Sequence, residues 1–192
     1  LGESNLISFD LETTSVIALE ADIVGLSFSV KANEGYYIPV EFPEKDSNYE
    51  LSLDTIISTV KPLLENKKNR FCGQNLKYDA LVLSRHSIKI ANIYFDTMLA
   101  EYILHPEKNS YKMDYLALDY LKYRMVPIDD LIGTGLHQQS MAEVPLDDIA
   151  FYAAEDADIA FQLASILEKK LDAENLSTPY EEIELPLVPV LV

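Results

Sequence analysis

The order of the apolar patterns along the chain is the feature that most limits its possible folds. Three strand-like segments come first, at residues 5–10, 21–30 and 35–40, and short polar stretches join them. Strand and helix patterns then alternate, and helical patterns dominate the remainder. This order is typical of a mixed sheet flanked by helices. We therefore expect an α/β fold in which three antiparallel strands precede the parallel ones.

The second half of the chain is predicted to be mainly helical. The longest helix is predicted from Pro145 to Leu171, because proline is favoured in a first helical turn. An irregular stretch at 126–144 precedes it, and the proline-containing tail at 172–192 is interpreted as a linker or the start of another domain. The first domain is thus expected at 1–171. The other predicted helices, with strands at 69–73 and 92–95 between them, lie at residues 51–66, 76–87, 96–104 and 113–123.

Composition narrows the class of protein. The 192 residues are 48% hydrophobic, which suits one domain with a substantial core, and no apolar run is long enough to span a bilayer. A single cysteine, Cys72, excludes an intramolecular disulfide and favours a reducing, cytoplasmic compartment. The net charge of −17 argues against a broad nucleic-acid surface. Residues 61–89 are nevertheless basic, either as a solvated helix face, which is the commoner case, or as a contact for phosphate.

Two acids, Asp10 and Glu12, stand at the end of the first predicted strand, in the stretch LISFDLETTS. Alternate side chains share one face of a strand, so both carboxylates project together while Leu11 points the other way. Like charges this close repel each other. On these residues alone, a polar strand end capped by Thr13 and Thr14 is the commoner explanation.

Two further acids interrupt apolar helix faces. Asp79 lies in the middle of the apolar stripe of its predicted helix, and Asp156 lies inside the stripe of the longest helix. Tyr152, one turn before Asp156, shares its face. By the same test Glu155 and Asp158 are ordinary surface charges. Four carboxylates are therefore predicted to face the interior, where unpaired charge costs several kcal/mol per ion.

The neighbouring residue types favour a metal site over an ion-pair network. The chain has only three arginines, and its histidines, which are scattered, are interpreted as structural or surface residues: His86, His105 and His137. An oxygen-only ligand set favours Mg²⁺ or Mn²⁺ over zinc. A calcium site is usually built on one contiguous loop, and a glycoside-hydrolase dyad does not need four acids. Several carboxylates around divalent ions are typical of phosphoryl transfer.

Three stretches carry a resemblance to a known family: FDLET at 9–13, GQNLKYD at 73–79 and YAAEDAD at 152–158. In this order they resemble the three motifs of the 3′–5′ proofreading exonuclease domain of bacterial DNA polymerase I, the family-A polymerase. That domain belongs to the DEDD exonucleases of the tyrosine subclass, with a ribonuclease-H-like fold. The resemblance covers essentially the whole chain. The ending YEEIELPLVPVLV is similar to the entry to the polymerase domain.

The resemblance implies a role for each motif residue. Asp10, Glu12 and Asp156 would bind a first divalent ion, Mg²⁺ or Mn²⁺; Asp10 would bridge to a second, which Asp79 would hold largely through water. Tyr152 would orient the attacking water, because a phenol with a pKa of about 10 is a poor general base at neutral pH. Contacts to the single-stranded 3′ end of DNA would involve Thr13, Val16, Gln74, Asn75, Lys77 and Tyr78.

Two departures from the family pattern concern DNA binding. Ile128 stands where the family has an aromatic residue that stacks on DNA, and Ser110 stands where an arginine is expected. Both departures are expected to weaken single-strand binding and to leave the chemistry intact.

The resemblance implies a monomeric nuclease that releases 5′-mononucleotides from DNA and is covalently linked to a polymerase domain on its C-terminal side. Two alternatives stay open. One is a ribonuclease D-like 3′–5′ exoribonuclease, and the other is a catalytically silent domain that only braces a polymerase. The presence of all four acids and of Tyr152 favours an active enzyme.

Overall fold

A five-stranded mixed sheet forms the centre of the computed structural model, which describes residues 6–45, 49, 51–135 and 138–192. Its strand order is β3-β2-β1-β4-β5. The pairs β1–β2 and β2–β3 are antiparallel, whereas β1–β4 and β4–β5 are parallel, which confirms the predicted α/β class. The strands are β1 (Ile7–Thr13), β2 (Ile23–Lys31), β3 (Glu34–Pro39), β4 (Phe71–Gly73) and β5 (Ile93–Asp96).

Strand β1 continues past Asp10 and includes Glu12 instead of ending at Asp10. Its antiparallel pairing with β2 places Asp10 opposite Ser27 and Glu12 opposite Gly25, and this ladder keeps the backbone extended as far as Thr13. The sequence pattern ended this strand at residue 10, because charged residues interrupt the apolar run. Residue 5, where the predicted strand began, lies outside the described residues.

Helices cover both faces of the sheet. The longest, α6, follows Pro145, which lies just before the first helical residue instead of within the first turn. Helix α1 begins where the Ser52 hydroxyl accepts a hydrogen bond from the Thr55 amide, a favourable N-cap. Within the described part of the chain, no helix is long and apolar enough to cross a membrane. The helices are α1 (Leu53–Leu64), α2 (Leu76–Ser84), α3 (Thr97–Leu104), α4 (Met113–Leu116), α5 (Ile128–Ile132), α6 (Leu146–Ala173), α7 (Ser177–Pro179) and α8 (Leu185–Leu191).

The sheet, with β1 at its centre, separates two layers of the core. Phe9 and Leu11 pack with α1 and α2 in one cluster. Helix α6 lies on the other face and contacts β1, β2, β3 and β4. The approach of α6 to β3 is close: a Cβ atom added to Gly35 would lie 2.1 Å from the carbonyl oxygen of Ala154. Only glycine fits there, so α6 can lie directly on the sheet.

Two further predicted segments differ from the structure. The helix expected at 113–123 is α4 followed by a π-helical turn, Ala117–Leu121, and it ends where Lys122 adopts a left-handed conformation, with φ of 55°. The stretch expected to be irregular, at 126–144, contains α5 and a 3₁₀ turn; its residues 136 and 137, including His137, lie outside the described residues.

The tail, which was interpreted as a linker or the start of another domain, is helical over most of its length. Helices α7 and α8 flank a π-helical turn, Tyr180–Glu184. Tyr180 is 2% exposed, and its hydroxyl accepts a 2.6 Å hydrogen bond from the amide of Asp96. Pro186 lies in the first turn of α8, where proline is favoured, whereas Pro189 lies inside that helix. The tail therefore packs against the sheet instead of extending away from it.

Candidate active site

The first two carboxylates come from strand β1. Because side chains alternate along a strand, Asp10 and Glu12 point toward α6, whereas Phe9 and Leu11 point into the opposite core layer. Glu12 is 6% exposed and Asp10 is half-buried. Strand β1 is central in the sheet, so these two acids lie between its neighbours and not at a solvated edge.

Helix α6 brings the third carboxylate to the strand. Asp156 is 8% exposed and faces β1. One oxygen each from Asp10, Glu12 and Asp156 lies within 4.8 Å of the other two. Residues 10 and 156 meet only in the finished fold, since they belong to the first strand and to the last long helix.

Asp79 lies next to this triad, at the start of α2. It is 2% exposed, and its Oδ1 accepts a 3.0 Å hydrogen bond from the backbone amide of Leu11. Burial, and then the negative charge of Asp10, raise the pKa of Asp79 above its ordinary value. The three carboxylates of the triad and Asp79 thus come together as the sequence predicted.

The turn before α2 is positioned by a residue that the sequence analysis did not single out. Asp96, at the end of β5, accepts hydrogen bonds from the amides of Asn75 (3.2 Å) and Leu76 (2.8 Å) and also caps α3. Asn75 adopts a left-handed conformation with φ of 57°. The signal in the sequence was available: an aspartate directly after a strand and before a helix is a typical N-cap.

The electrostatics of the cluster are unfavourable without a cation. Burial is the main cause that raises the pKa of Asp10 to about 7. Burial and the neighbouring carboxylates raise the pKa of Glu12, Asp79 and Asp156 well above their ordinary values. In the part of the chain that the structure describes, no lysine or arginine forms an ion pair with any of the four.

Two buried oxygen atoms mark where a cation fits. Among the described residues, Glu12 Oε1 and Asp156 Oδ1 are buried and have no hydrogen-bond partner. Both atoms belong to the triad, in which every potential metal ligand is a carboxylate oxygen. Hard divalent ions such as Mg²⁺ and Mn²⁺ prefer such ligands. The residues present therefore fit a divalent metal site.

Tyr152 lies one helical turn before Asp156 on α6, facing the same cluster. Burial, and then the negative charges of Asp156, Glu12 and Asp10, raise its pKa well above the ordinary value for a phenol. Without a bound cation, the hydroxyl of Tyr152 is consequently neutral at ordinary pH.

A cleft of about 500 Å³ opens onto the carboxylates. Its remaining walls come from residues 109–114 and from Met98, Met125 and Val126. Apart from Ser110, the sequence did not indicate these walls, because the irregular backbone at 109–112 and 125–126 leaves no periodic pattern. Seven residues that were singled out from the sequence line it together: Asp10, Gln74, Asn75, Ser110, Ile128, Tyr152 and Asp156.

Gln74 is held at both ends of its amide. Its Nε2 donates a 2.7 Å hydrogen bond to the carbonyl oxygen of Tyr111, and its Oε1 accepts one from the Thr97 hydroxyl. The amide therefore joins α3 to the wall at 109–114 while it lines the cleft.

The other predicted DNA contacts lie outside the cleft lining. The Tyr78 hydroxyl is hydrogen-bonded to the Thr13 hydroxyl, at 2.5 Å, and to the carbonyl oxygen of Ser15. These bonds anchor the turn after β1, from which Val16 projects with 93% of its surface exposed. Lys77 is exposed on α2.

Comparison with known proteins identifies the family. A sequence profile described as 3′–5′ exonuclease matches residues 1–172. The chain belongs to this family. DNA polymerase I of Pseudomonas aeruginosa is 40% identical over 194 residues, which cover 100% of this chain and 21% of that protein. The exonuclease chain thus spans about a fifth of the length of such relatives, and its resemblance to the exonuclease domain of bacterial DNA polymerase I is confirmed.

Solved structures agree on the fold of this 3′–5′ exonuclease chain. Pol1 of M. smegmatis, in complex with DNA primer-template and dNTP, matches 97% of the chain and 28% of its own, with a TM-score of 0.74 and 16% identity. Brucella melitensis NrnC with bound Mg²⁺ matches 98% and 84%, with a TM-score of 0.69 and 14% identity.

One prediction about the exonuclease helix α6 is wrong. Glu155 is not a surface charge: it is 8% exposed and accepts hydrogen bonds from the Tyr123 hydroxyl (2.7 Å) and the Val126 amide (2.9 Å). Asp158 is half-buried and accepts a 2.7 Å hydrogen bond from the Asn33 amide. A helical wheel misses both, since it ranks positions against a single apolar stripe, whereas chain segments pass over α6 on further sides.

Proposed function

We propose that this chain is a proofreading domain of DNA polymerase I that removes 5′-mononucleotides one at a time from the 3′ end of DNA. The observation that carries the proposal is the triad of Asp10, Glu12 and Asp156, with two buried carboxylate oxygens that have no partner, in a chain of the 3′–5′ exonuclease family. A site of this kind suits the hydrolysis of a phosphodiester with metal assistance.

The four carboxylates divide into two sets of ligands. The triad would hold one divalent ion, and Asp10 together with Asp79 would hold a second. When bound, two such ions act as Lewis acids that lower the pKa of water and stabilise the attacking and leaving oxygens. The Mg²⁺ bound by NrnC, a protein of similar fold, supports this choice of ion.

The remaining residues at the cleft position the substrate. Tyr152, as a neutral phenol beside Asp156, would hydrogen-bond the attacking water and fix its direction of approach. Gln74 and Asn75 line the cleft with polar groups suited to sugar and phosphate oxygens. Ile128 and the exposed Val16 offer apolar surface for unstacked bases.

The acidic protein would bind a polyanion through this local arrangement. Its net charge of −17 opposes long-range attraction of DNA, so the bound cations would supply the positive charge at the scissile phosphate. The basic stretch at 61–89, which includes Lys77, would contact the strand beyond the cleft.

We also propose the setting of the domain. The nuclease site would lie within residues 1–171, and the packed tail at 172–192 would lead into a covalently linked polymerase domain that supplies the frayed 3′ end during replication and repair. The relatives are bacterial polymerases, and a buried thiol at Cys72 is compatible with a cytoplasmic protein. The nuclease would act as a monomer.

The decisive test is a nuclease assay on 5′-labelled single strands of DNA and of RNA, side by side. With Mg²⁺ or Mn²⁺ we expect a ladder of DNA products shortened by one nucleotide at a time, and no cleavage in EDTA or by Asp10→Ala. Faster cleavage of RNA would favour a ribonuclease D-like enzyme instead. Absence of cleavage, together with no heat of Mn²⁺ binding in calorimetry, would favour a silent domain.

A further inference from the structure

Glu155 is a buried acid whose side chain points away from the metal ligands. It follows Ala154 and precedes Asp156 on α6, and a step of one residue turns the side chain by about 100° around the helix axis. Each of its carboxylate oxygens has one donor: Oε1 accepts from the Tyr123 hydroxyl at 2.7 Å, and Oε2 accepts from the Val126 amide at 2.9 Å. A buried carboxylate with two donors is a strong and directional anchor.

Both donors belong to the segment formed by residues 122–127, which joins the π-helical turn Ala117–Leu121 to α5. This segment has no regular secondary structure, and it begins at Lys122, which is held in the left-handed region with φ of 55°. Left-handed backbone at a residue other than glycine costs about 1–2 kcal/mol, so other contacts must hold the segment in place. The bonds to Glu155 supply two of them.

The same segment forms one wall of the cleft. Met125 and Val126 line it, and Ile128 follows directly at the start of α5. Val126 therefore lines the cleft while its backbone amide is bound to Glu155. Any movement of the 122–127 segment would change the width of the cleft above Asp10 and Asp156.

We propose that Glu155 is a positioning residue that holds the 122–127 segment at a fixed distance from the metal ligands, so that the cleft fits the 3′-terminal nucleotides. This inference rests on the proposed function. The two residues are adjacent on α6 but have different contacts. Asp156 belongs to the carboxylate triad, and Glu155 is hydrogen-bonded to the 122–127 segment. Displacements of about 1 Å at such distances lower rates by about a hundredfold.

The test compares three variants of the 192-residue protein. Glu155→Ala removes both anchors. Glu155→Gln should restore most of the function, because its amide oxygen can accept from the Val126 amide while its NH₂ group donates to the Tyr123 hydroxyl. Glu168→Ala is the matched control, since Glu168 also lies on α6 and accepts a 2.5 Å hydrogen bond from a tyrosine, Tyr94, far from the cleft.

Three readouts separate a positioning role from a structural one. In Glu155→Ala we expect faster hydrogen–deuterium exchange at residues 122–127, and an increase of about tenfold in both KM and Kd for a labelled single-stranded DNA. The Mn²⁺ affinity from calorimetry should stay within about twofold of the wild type. Glu155→Gln should lie near the wild type in hydrogen–deuterium exchange, in KM and Kd for DNA, and in Mn²⁺ affinity. Glu168→Ala should leave exchange at 122–127 and DNA affinity unchanged.

Distinct results would overturn each part. Unchanged exchange at 122–127 in Glu155→Ala would show that Glu155 does not hold the segment. Faster exchange with unchanged KM and Kd would show that the held segment plays no part in binding. A wild-type protein that neither binds nor cleaves DNA would contradict the proposed function instead, and the exchange measurement would still decide whether Glu155 anchors the wall.

Discussion

The backbone amide of Leu11 donates a 3.0 Å hydrogen bond to Oδ1 of Asp79, across a sequence separation of 68 residues. The reason lies in the sheet: β4 pairs with β1 only along its beginning, at residues 7 and 8, so later amides on that side of β1 have no strand partner. Asp79 supplies the missing acceptor. The same carboxyl group therefore fixes α2 to β1 and places a negative charge beside Asp10.

The two roles of Asp79 can be separated by substitution. Asp79→Asn keeps an oxygen acceptor for the Leu11 amide but loses the charge, so nuclease activity should fall by about a hundredfold or more, since metal-ion stabilisation of the transition state is worth several kcal/mol. Asp79→Ala loses the acceptor as well, and it should be less stable than Asp79→Asn by about 1–3 kcal/mol, because a buried amide is left unpaired. Urea denaturation in EDTA and the nuclease assay measure the two effects. Equal stability of the two variants would contradict the structural role.

Without metal, the carboxylate cluster should make the protein less stable as the pH rises. A folded-state pKa above the ordinary value means that the folded protein binds protons that the unfolded chain has released. The stabilisation is present below the ordinary pKa, 3.8 for Asp10, and is lost as the pH rises through about 7. Each unit of raised pKa corresponds to about 1.4 kcal/mol. Saturating Mn²⁺ binds the ionised form, so it should reverse this trend.

Urea denaturation from about pH 4 to about pH 8, with EDTA and with Mn²⁺, measures this dependence. The double variant Asp10→Asn/Glu12→Gln is the matched control, since it removes two of the titrating groups and keeps similar side-chain volumes. We expect the free energy of unfolding of the wild type in EDTA to fall more steeply with pH than that of the double variant. A shallower fall in the wild type would contradict the raised pKa values.

Tyr152→Phe should lower kcat by about 10-fold to 100-fold, because the attacking water loses an oriented partner. Burial raises the pKa of Tyr152 above that of an ordinary phenol, about 10, so we expect a neutral hydroxyl with no titration of its own in the working range. The pH–rate profiles of the wild type and of the variant should therefore run parallel between about pH 6 and about pH 9. If the variant lost a rising limb that the wild type shows, Tyr152 would be acting as a base. Calorimetry should find unchanged Mn²⁺ affinity.

Gly35→Ala should destabilise the fold and disturb the site together. The added Cβ atom would lie 2.1 Å from the carbonyl oxygen of Ala154, a backbone atom of α6 that cannot rotate away. We expect a loss of about 2 kcal/mol or more and a disproportionate loss of activity, because α6 carries Asp156 two residues later. Gly135→Ala is the control: nothing lies within 4 Å of its added Cβ, and only its positive φ, 62°, costs energy, about 1 kcal/mol. Thermal unfolding measures the loss of stability in each variant, and the nuclease assay measures the loss of activity.

The carboxylate site could be predicted because strands and helices have fixed periods. Alternation along β1 places Asp10 and Glu12 on one face, and the helical period places Asp79 and Asp156 on faces that are otherwise apolar. An acid on an apolar face conflicts with simple burial, so the conflict itself indicated a site. In the structure, Asp10, Glu12 and Asp156 form one cluster, and Asp79 lies beside it.

The walls of the cleft were not predictable in the same way. The segments 109–112 and 122–127 have no regular secondary structure, and they are held by single hydrogen bonds such as those of Gln74 and Glu155. A wheel drawn for α6 assumes one buried side, yet this helix packs against the sheet, against α3 and against the 122–127 segment. Burial on several sides is a property of the tertiary structure, and it erases the contrast on which the wheel relies.

Tyr180 lies eight residues beyond the last position matched by the family profile, yet it is 2% exposed and its hydroxyl caps the amide of Asp96. Asp96 in turn holds the amides of Asn75 and Leu76 at the mouth of the cleft. A protein shortened to the limit of the family profile would therefore lose a side chain that positions the candidate active site. The family profile ends at residue 172, whereas the packed structure includes Tyr180. The end of a sequence profile is therefore not the end of the folded unit.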